Sequence, residues 1–214
     1  MNLRSFNTLD KIAAAGHVKN CCGSAAWVSA VMEKFPFPDE AALIAAAEDA
    51  WYNRCSVSDW LEAFGQHPKI GDTKSLAEKF AGTAHLAGNE QSGVAAASAD
   101  TIEELAKANE EYESRNGFIF IVCATGKSAA EMLCLANDRL SNSRAEEMLV
   151  AMNEQHKISI IRLQKLMPAA NWGFLKNSQL TTHVLDTSIG RPGKDISIRL
   201  KKLSGGQWQT FAQG

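Results

Sequence analysis

A histidine just beyond a predicted helix is the first residue whose position suits chemistry. His67 lies in the segment FGQHPKIGD, where Gly65 ends the helix and Pro68 restricts the preceding backbone to extended conformations. Imidazole titrates near neutral pH, so a histidine on a stiffened loop suits a proton donor or acceptor. The alternative is a helix-terminating His-Pro pair with a solvated ring, and the residues alone leave both open.

A carboxylate and an amide stand side by side in the segment GNEQSG. Glu90 and Gln91 open an alanine-rich stretch that we expect to be helical. Such a pair can orient an imidazole, or bind a small polar ligand through mixed donors and acceptors. Glu90 is equally suited to the N-terminus of the helix, where a negative charge is favourable.

An arginine with apolar helical neighbours is the third candidate. Arg162 has Ile158 four residues before it and Leu166 four residues after it, which predicts that its guanidinium faces inward. A buried arginine needs an anionic partner, and a carboxylate that binds it in a bidentate manner is the best match. That carboxylate belongs either to a substrate or to an internal Asp or Glu.

Other motifs are weaker. Cys123, in the apolar stretch FIFIVCA, is either a nucleophile or a buried core thiol, and its neighbours favour the core thiol. Residues 126–128 read Gly-Lys-Ser like the end of a phosphate-binding loop, but that motif requires glycine at 121, which is Ile121. The histidines lack metal-ligand spacing, so we expect no metal.

The composition is that of a globular protein. The 214 residues carry 22 basic and 24 acidic side chains, and the net charge of -2 argues against a nucleic-acid partner. Five cysteines without a predicted secretory segment indicate reduced thiols in a reducing compartment. The longest apolar run, residues 118–124, is far below the ~18 residues of a membrane span.

Helices must position these candidates. Apolar residues at helical spacing, with capping residues such as Asp39, Ser56, Asp100 and Ser128, predict helices over residues 41–54, 58–65, 101–115, 129–140 and 144–167. The stretch FIFIVCA is either a strand or buried coil. From residue 180 the pattern changes to alternating apolar and polar residues, which predicts strands near 182–186, 196–203 and 207–211. About 35 residues are too few for an independent sheet with a core.

Four separated motifs together resemble one family. The segments DWLEAFGQHPKIGD, NEQSG, GFIFIVCATGKSAAEML and KISIIRLQKL, within about residues 20–167, are similar in type and order to 2-oxo-4-hydroxy-4-carboxy-5-ureidoimidazoline (OHCU) decarboxylases of urate breakdown. The later stretch THVLDTSIGRPGKDISIRL resembles the opening of the transthyretin-like 5-hydroxyisourate hydrolases. A decarboxylase followed by a hydrolase is the order of bifunctional plant-type allantoin synthases.

The resemblance implies an all-α fold followed by a short, incomplete β tail. It divides the chain into a decarboxylase domain over 1–167, a linker over 168–179, and the truncated start of a hydrolase domain over 180–214. The implied reaction converts OHCU to (S)-allantoin and CO2 without a cofactor, in a homodimer. Ring carbonyl and imine groups can delocalise the electrons that CO2 leaves behind, so no cofactor is required as an electron sink.

The resemblance also assigns roles to residues. It implies that His67 is the general acid–base, that Glu90 orients and charges its ring, and that Arg162 clamps an anionic or carbonyl group of the substrate. The remaining substrate-binding residues that it implies are Pro68, Gln91, Phe120, Ile121, Val122, Cys123 and Ala124.

Other expectations concern the end of the chain and the cellular context. His183 matches the first histidine of the hydrolase family but has no partners from that family, so we expect no hydrolase activity. Lys176 and His183 have the spacing of an internal peroxisomal signal, although Asn177 and Val184 depart from it, so the cytosol is the alternative. The alternative function is a non-catalytic helical interaction module.

Overall fold

The computed structural model describes residues 1–67, 99–125, 127–173 and 175, together with strand residues 185–186, 191–192, 199–204 and 207–213. In these parts of the chain the helices are α1 (Leu3–Asn7), α2 (Lys11–Cys21), α3 (Ala25–Met32), α4 (Glu40–Asp49), α5 (Val57–Phe64), α6 (Ala99–Asn116), α7 (Ala129–Arg139) and α8 (Arg144–Leu166). A π-helix, Ala50–Arg54, continues α4. The prediction of an all-α fold is confirmed.

Local capping explains where several helices begin and end. Ser56 begins α5 in a capping box, since its main-chain N–H donates to Asp59 Oδ2 at 2.7 Å. Ser128 and Ser143 begin α7 and α8 in the same way. Gly117 ends α6 with a φ of 76°, a conformation that glycine adopts without steric cost. These boundaries agree with the sequence predictions.

The helix predicted over residues 41–54 is not α-helical throughout. Its last turn is the π-helix, in which the N–H of Cys55 donates to the carbonyl of Ala50 at 3.0 Å. The carbonyl of Trp51 accepts from the indole of Trp60 at 3.1 Å, and the indole of Trp51 donates to the carbonyl of Met152 at 2.9 Å. These contacts to α5 and α8 secure the wider turn, so the prediction of one continuous α-helix was wrong here.

The long helix α8 contacts α2, α5 and α6. Its buried residues include Met148, Met152, Ile158 and Leu163, which gives it an apolar stripe at helical spacing. Residues 118–124, between α6 and α7, are buried coil, which decides between the two alternatives for FIFIVCA. No helix in the described ranges is both long and apolar enough to cross a membrane.

Residues 178–214 form a second compact unit, separate from residues 1–177. Strand β1 (Leu185–Asp186) pairs antiparallel with β2 (Arg191–Pro192), and β3 (Arg199–Ser204) pairs antiparallel with β4 (Gln207–Gln213). The second pair is irregular between Leu200 and Lys201. The predicted boundaries at 167, 179 and 180, and the assignment of this unit to a transthyretin-like domain, stay predictions.

Candidate active site

The turn after α5 carries His67 and packs against a glycine. The N–H of His67 donates to the carbonyl of Phe64 at 3.1 Å, so the chain turns tightly at the end of the helix. A Cβ atom at Gly23 would lie 2.3 Å from Cγ of Gln66 and 2.9 Å from its Cβ. Only a residue without a side chain therefore lets the turn approach the segment between α2 and α3 so closely.

His67 is hydrogen-bonded to the middle of α8. Its Nε2 lies 2.6 Å from Oε1 of Gln155, a residue 88 positions later whose side chain is fully buried. Gln155 Nε2 in turn donates to Oγ of Ser159 at 3.2 Å, and this hydroxyl donates to the main-chain carbonyl of Gln155 at 3.0 Å. The ring is thus held by a helix side chain that is itself held in place, so the alternative of a solvated histidine does not apply.

Arg162 lies one turn beyond Ser159 and is buried, with 8% of its surface exposed. Its inward orientation confirms the prediction from its apolar neighbours. Cys22, at the end of α2, connects it to the same cluster. Burial raises the pKa of the Cys22 thiol to about 11, although the Ser24 N–H, the Ser159 hydroxyl and the charge of Arg162 oppose that increase. His67, Gln155, Ser159, Cys22 and Arg162 therefore form one group around α8.

The buried segment 118–124 is attached to α8 at Glu154, the residue before Gln155. Glu154 Oε2 accepts from the main-chain N–H of Cys123 at 2.7 Å, and its Oε1 accepts from Lys157 Nζ at 2.5 Å. The carbonyl of Cys123 accepts from Lys127 Nζ at 2.7 Å. Burial raises the pKa of Glu154, but the bonds from Lys157 and Cys123 outweigh burial and leave the pKa lowered. Burial raises the pKa of the Cys123 thiol, which supports its interpretation as a core thiol.

A buried ion pair supports the same segment from the other side. The carboxylate of Glu147 is fully buried and accepts from Arg139 Nε at 2.7 Å, from Asn142 Nδ2 at 2.8 Å and from the Tyr112 hydroxyl. Arg139 Nη1 donates to the carbonyl of Ile121 at 2.8 Å. Burial and the hydrogen bond to Glu147 raise the pKa of Tyr112. This network holds the backbone of the segment at Ile121.

The guanidinium of Arg139 also lies over an aromatic ring of this segment. Its central carbon is 4.6 Å from the centroid of Phe120, within the range of a cation–π interaction. Phe120 and Ile121 are therefore held by a charged group on α7, and Cys123 is held by one on α8. The segment is therefore attached at two points, Ile121 and Cys123.

The structure brings some of the predicted site residues together, and the others lie outside the described residues. His67 and Arg162 share the cluster on α8, and residues 120–124 attach to the same helix at Glu154. Pro68, Glu90 and Gln91 lie outside the described residues, as do Lys176 and His183. Sequence reasoning missed Gln155 and Ser159. They precede Arg162 by seven and three positions, on one helical face, and a search for polar residues on that face would have found them.

Within the described ranges, no three His, Cys, Asp or Glu side chains are grouped as a metal site would require. The prediction of a reaction without metal or cofactor stays a prediction. What the described side chains offer is an acid–base group, a buried cation and a fixed stretch of buried backbone. That combination suits an anionic substrate that must gain or lose a proton.

Comparison with known proteins identifies the family. The family model described as OHCU decarboxylase matches residues 7–164, and the chain belongs to this family. It is 32% identical over 231 residues to the uric acid degradation bifunctional protein TTL of Arabidopsis thaliana, an alignment covering 92% of this chain and 71% of that protein. It is also 32% identical over 77 residues to the 2-oxo-4-hydroxy-4-carboxy-5-ureidoimidazoline decarboxylase of Amia calva, covering 36% of this chain and 44% of that protein.

Solved structures are similar to this chain as well. A crystal structure of OHCU decarboxylase in the presence of (S)-allantoin is 38% identical, with a TM-score of 0.60, and covers 70% of this chain and 96% of that chain. A crystal structure of (S)-allantoin synthase has a TM-score of 0.59 and 20% identity, covering all of this chain and 70% of that one. The second similarity shows the fold alone.

Proposed function

We propose that this chain removes CO2 from OHCU and releases (S)-allantoin, as a cofactor-independent carboxy-lyase of urate catabolism. The observation that carries the proposal is the cluster on α8, where the imidazole of His67 is linked to the buried Arg162 through Gln155, Ser159 and Cys22. Membership of the decarboxylase family supports it, since the matched range 7–164 contains every described residue of the cluster.

The residues divide the chemistry between them. Arg162 binds the carboxylate or a carbonyl of the substrate, with donors in a planar fork that matches such a group. When the bond between the ring carbon and the carboxylate breaks, its electron pair stays on the ring and is delocalised there. His67 then delivers one proton to that carbon on one face, which sets the configuration of the product. The negative charge of Glu90 favours the protonated form of the imidazole.

The substrate-binding surface that we propose includes Pro68, Gln91 and the backbone of residues 120–124. The N–H of Cys123 already donates to Glu154, and its carbonyl already accepts from Lys127. Because both main-chain groups of Cys123 are already hydrogen-bonded, we propose that the main-chain groups of its neighbours in the segment bind the ureido and ring amides of the substrate. The fixed backbone places these groups without any rearrangement at the moment of reaction.

The test uses freshly generated OHCU and circular dichroism at the allantoin band. We expect one enantiomer to form faster than in the spontaneous reaction. His67→Ala should lower the rate by at least ~10²-fold, because acid–base groups contribute 10²–10⁴-fold. His17→Ala, on α2, is the matched control and should keep the parent's rate. No acceleration by the parent protein would instead favour a non-catalytic interaction module.

The role of Arg162 is tested by Arg162→Lys and Arg162→Ala. Lysine keeps the charge but loses the paired planar donors, so we expect it to restore little of what alanine loses. Near-parental kinetics for the lysine variant would reduce Arg162 to a general positive charge. Addition of EDTA should leave the rate unchanged; a loss that a divalent ion restores would contradict the proposal of a metal-free reaction.

We further propose that the protein acts as a homodimer in the peroxisome, with the cytosol as the alternative compartment. Resemblance to the family supports the dimer, and the spacing of Lys176 and His183 supports the compartment. Light scattering coupled to size-exclusion chromatography gives the mass, and a fluorescent fusion with and without His183→Ala gives the location. A monomeric mass would contradict the dimer. A fluorescence distribution in the cell that His183→Ala does not change would contradict the peroxisomal signal.

A further inference from the structure

We propose that Gln155 is the positioning residue of His67, that Ser159 locks its amide, and that the proton of catalysis is therefore exchanged at Nδ1 of the imidazole. This inference rests on the proposed function for its catalytic part. The geometry that carries it is the 2.6 Å contact between His67 Nε2 and Gln155 Oε1, made by an amide that is fully buried.

The direction of this hydrogen bond follows from the other end of the amide. The Ser159 hydroxyl donates a hydrogen bond to the main-chain carbonyl of Gln155, at 3.0 Å, as serine commonly does in helices. Its oxygen is then an acceptor, and the side-chain nitrogen of Gln155 donates to it at 3.2 Å. The amide nitrogen thus faces Ser159 and the amide oxygen faces His67. An amide oxygen only accepts, so Nε2 of His67 carries the proton.

An uncharged acceptor suits an acid–base catalyst. Nε2 is protonated in both the cationic ring and the neutral tautomer chosen here, so the bond to Gln155 persists while the other nitrogen gains and loses its proton. A carboxylate in the same place would favour the cation, and an apolar side chain would leave a buried donor without its acceptor. Gln155 therefore holds the orientation of the ring in both its neutral and its cationic form.

Among the described residues, the charged groups that act on Cys22, the thiol beside Ser159, are Arg162 of α8 and Glu62 of α5. Because burial raises the pKa of Cys22 to about 11, its thiol stays neutral at physiological pH. A pH response of the cluster near neutrality is therefore expected to come from the imidazole.

Nitrogen-15 NMR of the imidazole side chains tests the hydrogen bond without reference to activity. His67 is assigned among the five histidines by its loss in His67→Ala. In the parent at high pH we expect Nε2 to be protonated and Nδ1 to be bare, with the Nε2 proton protected from exchange. Gln155→Met should abolish that protection, and Gln164→Met on the same helix should preserve it. A neutral ring protonated at Nδ1 would overturn the assignment.

Decarboxylation kinetics test the catalytic part. We expect Gln155→Met to lower kcat by about 10–100-fold with KM changed less than about threefold, since a small misplacement of a catalytic group can cost 10²-fold. Gln155→Glu keeps an acceptor and should retain more of kcat, with a pH–rate profile shifted to higher pH. Ser159→Ala should fall between the two. A structural role alone would lower stability and leave the profile in place.

The outcomes separate the two proposals. The expected NMR pattern in a parent that does not decarboxylate OHCU would overturn the proposed function and leave the histidine–glutamine bond standing. An active parent in which folded Gln155→Met has the parent's kcat would overturn the positioning role. If Gln155→Met does not fold, Gln155→Glu decides, because an unshifted pH–rate profile in that variant contradicts the role equally.

Discussion

Replacing Glu147 with glutamine should remove a large part of the stability of the helical unit. Glu147 is fully buried, and its partner Arg139 is 8% exposed, so neither charge is solvated when the other is lost. Removing one member of a buried ion pair costs about 3–5 kcal/mol in the free energy of unfolding. Domains have ~5–15 kcal/mol in total, so this loss is roughly 30–50% of a midpoint value of about 10 kcal/mol.

Urea unfolding followed by tryptophan fluorescence measures this loss, and thermal unfolding measures it independently. At ~2–4 °C per kcal/mol for a chain of this size, Tm should fall by about 6–20 °C. Glu146→Gln is the matched control. Glu146 is exposed and completes the capping box of α8, a role that glutamine also fills, so its substitution should change stability by less than ~1 kcal/mol.

A double variant separates stability from function. Arg139→Met combined with Glu147→Leu removes both charges, and we expect most of the lost stability to return. Decarboxylation should stay low, because Arg139 no longer binds the carbonyl of Ile121 or the ring of Phe120. A loss below 1 kcal/mol in Glu147→Gln, or strictly additive effects in the double variant, would refute the reasoning.

Three further predictions follow from the site. Gly23→Ala should lower the free energy of unfolding by ~1–3 kcal/mol and also lower activity, because the added Cβ would overlap Gln66. Gly16→Ala in α2 is the control: a Cβ there meets open space, so we expect the protein to become more stable. Urea unfolding of both variants compares the two effects. Iodoacetamide at pH 8 should label exposed Cys134 in the native protein and spare buried Cys22, whose raised pKa leaves little thiolate; mass spectrometry of peptides decides. Because folding lowers the pKa of Glu154, its stabilising contribution is present above about pH 4.3 and lost as pH falls below it. Urea midpoints between pH 5 and 3 should therefore fall less steeply in Glu154→Gln; equal slopes would contradict this.

The sequence predicted the structural features that depend on residues close together in the chain. The helix starts at Ser56 and Ser128 involve partners three residues away, and the end of α6 needs only a glycine that tolerates positive φ. The burial of Arg162 followed from its neighbours one turn away on the same helix. Each of these features is contained in a short window of sequence, and each is confirmed.

Contacts between distant segments could not be predicted in the same way. The π-helix depends on Trp51 reaching a carbonyl 101 residues later, and the partner of His67 is 88 residues away. The sequence contains Gln155 as one polar residue among many, and only the fold shows that it meets an imidazole. Glu90 and Gln91 lie outside the described residues, so the roles proposed for them stay predictions.

The placement of the site on α8 makes the site sensitive to changes in chain length. Glu154, Gln155, Ser159 and Arg162 lie within nine residues of one helix, a span of about 12 Å at ~1.5 Å per residue. Insertion of a single residue between Gln155 and Ser159 would turn Arg162 by about 100° relative to the histidine anchor. A one-residue insertion or deletion within these two turns would therefore misalign the anchor of His67 and Arg162, whereas the same change in a loop would leave their spacing on the helix intact.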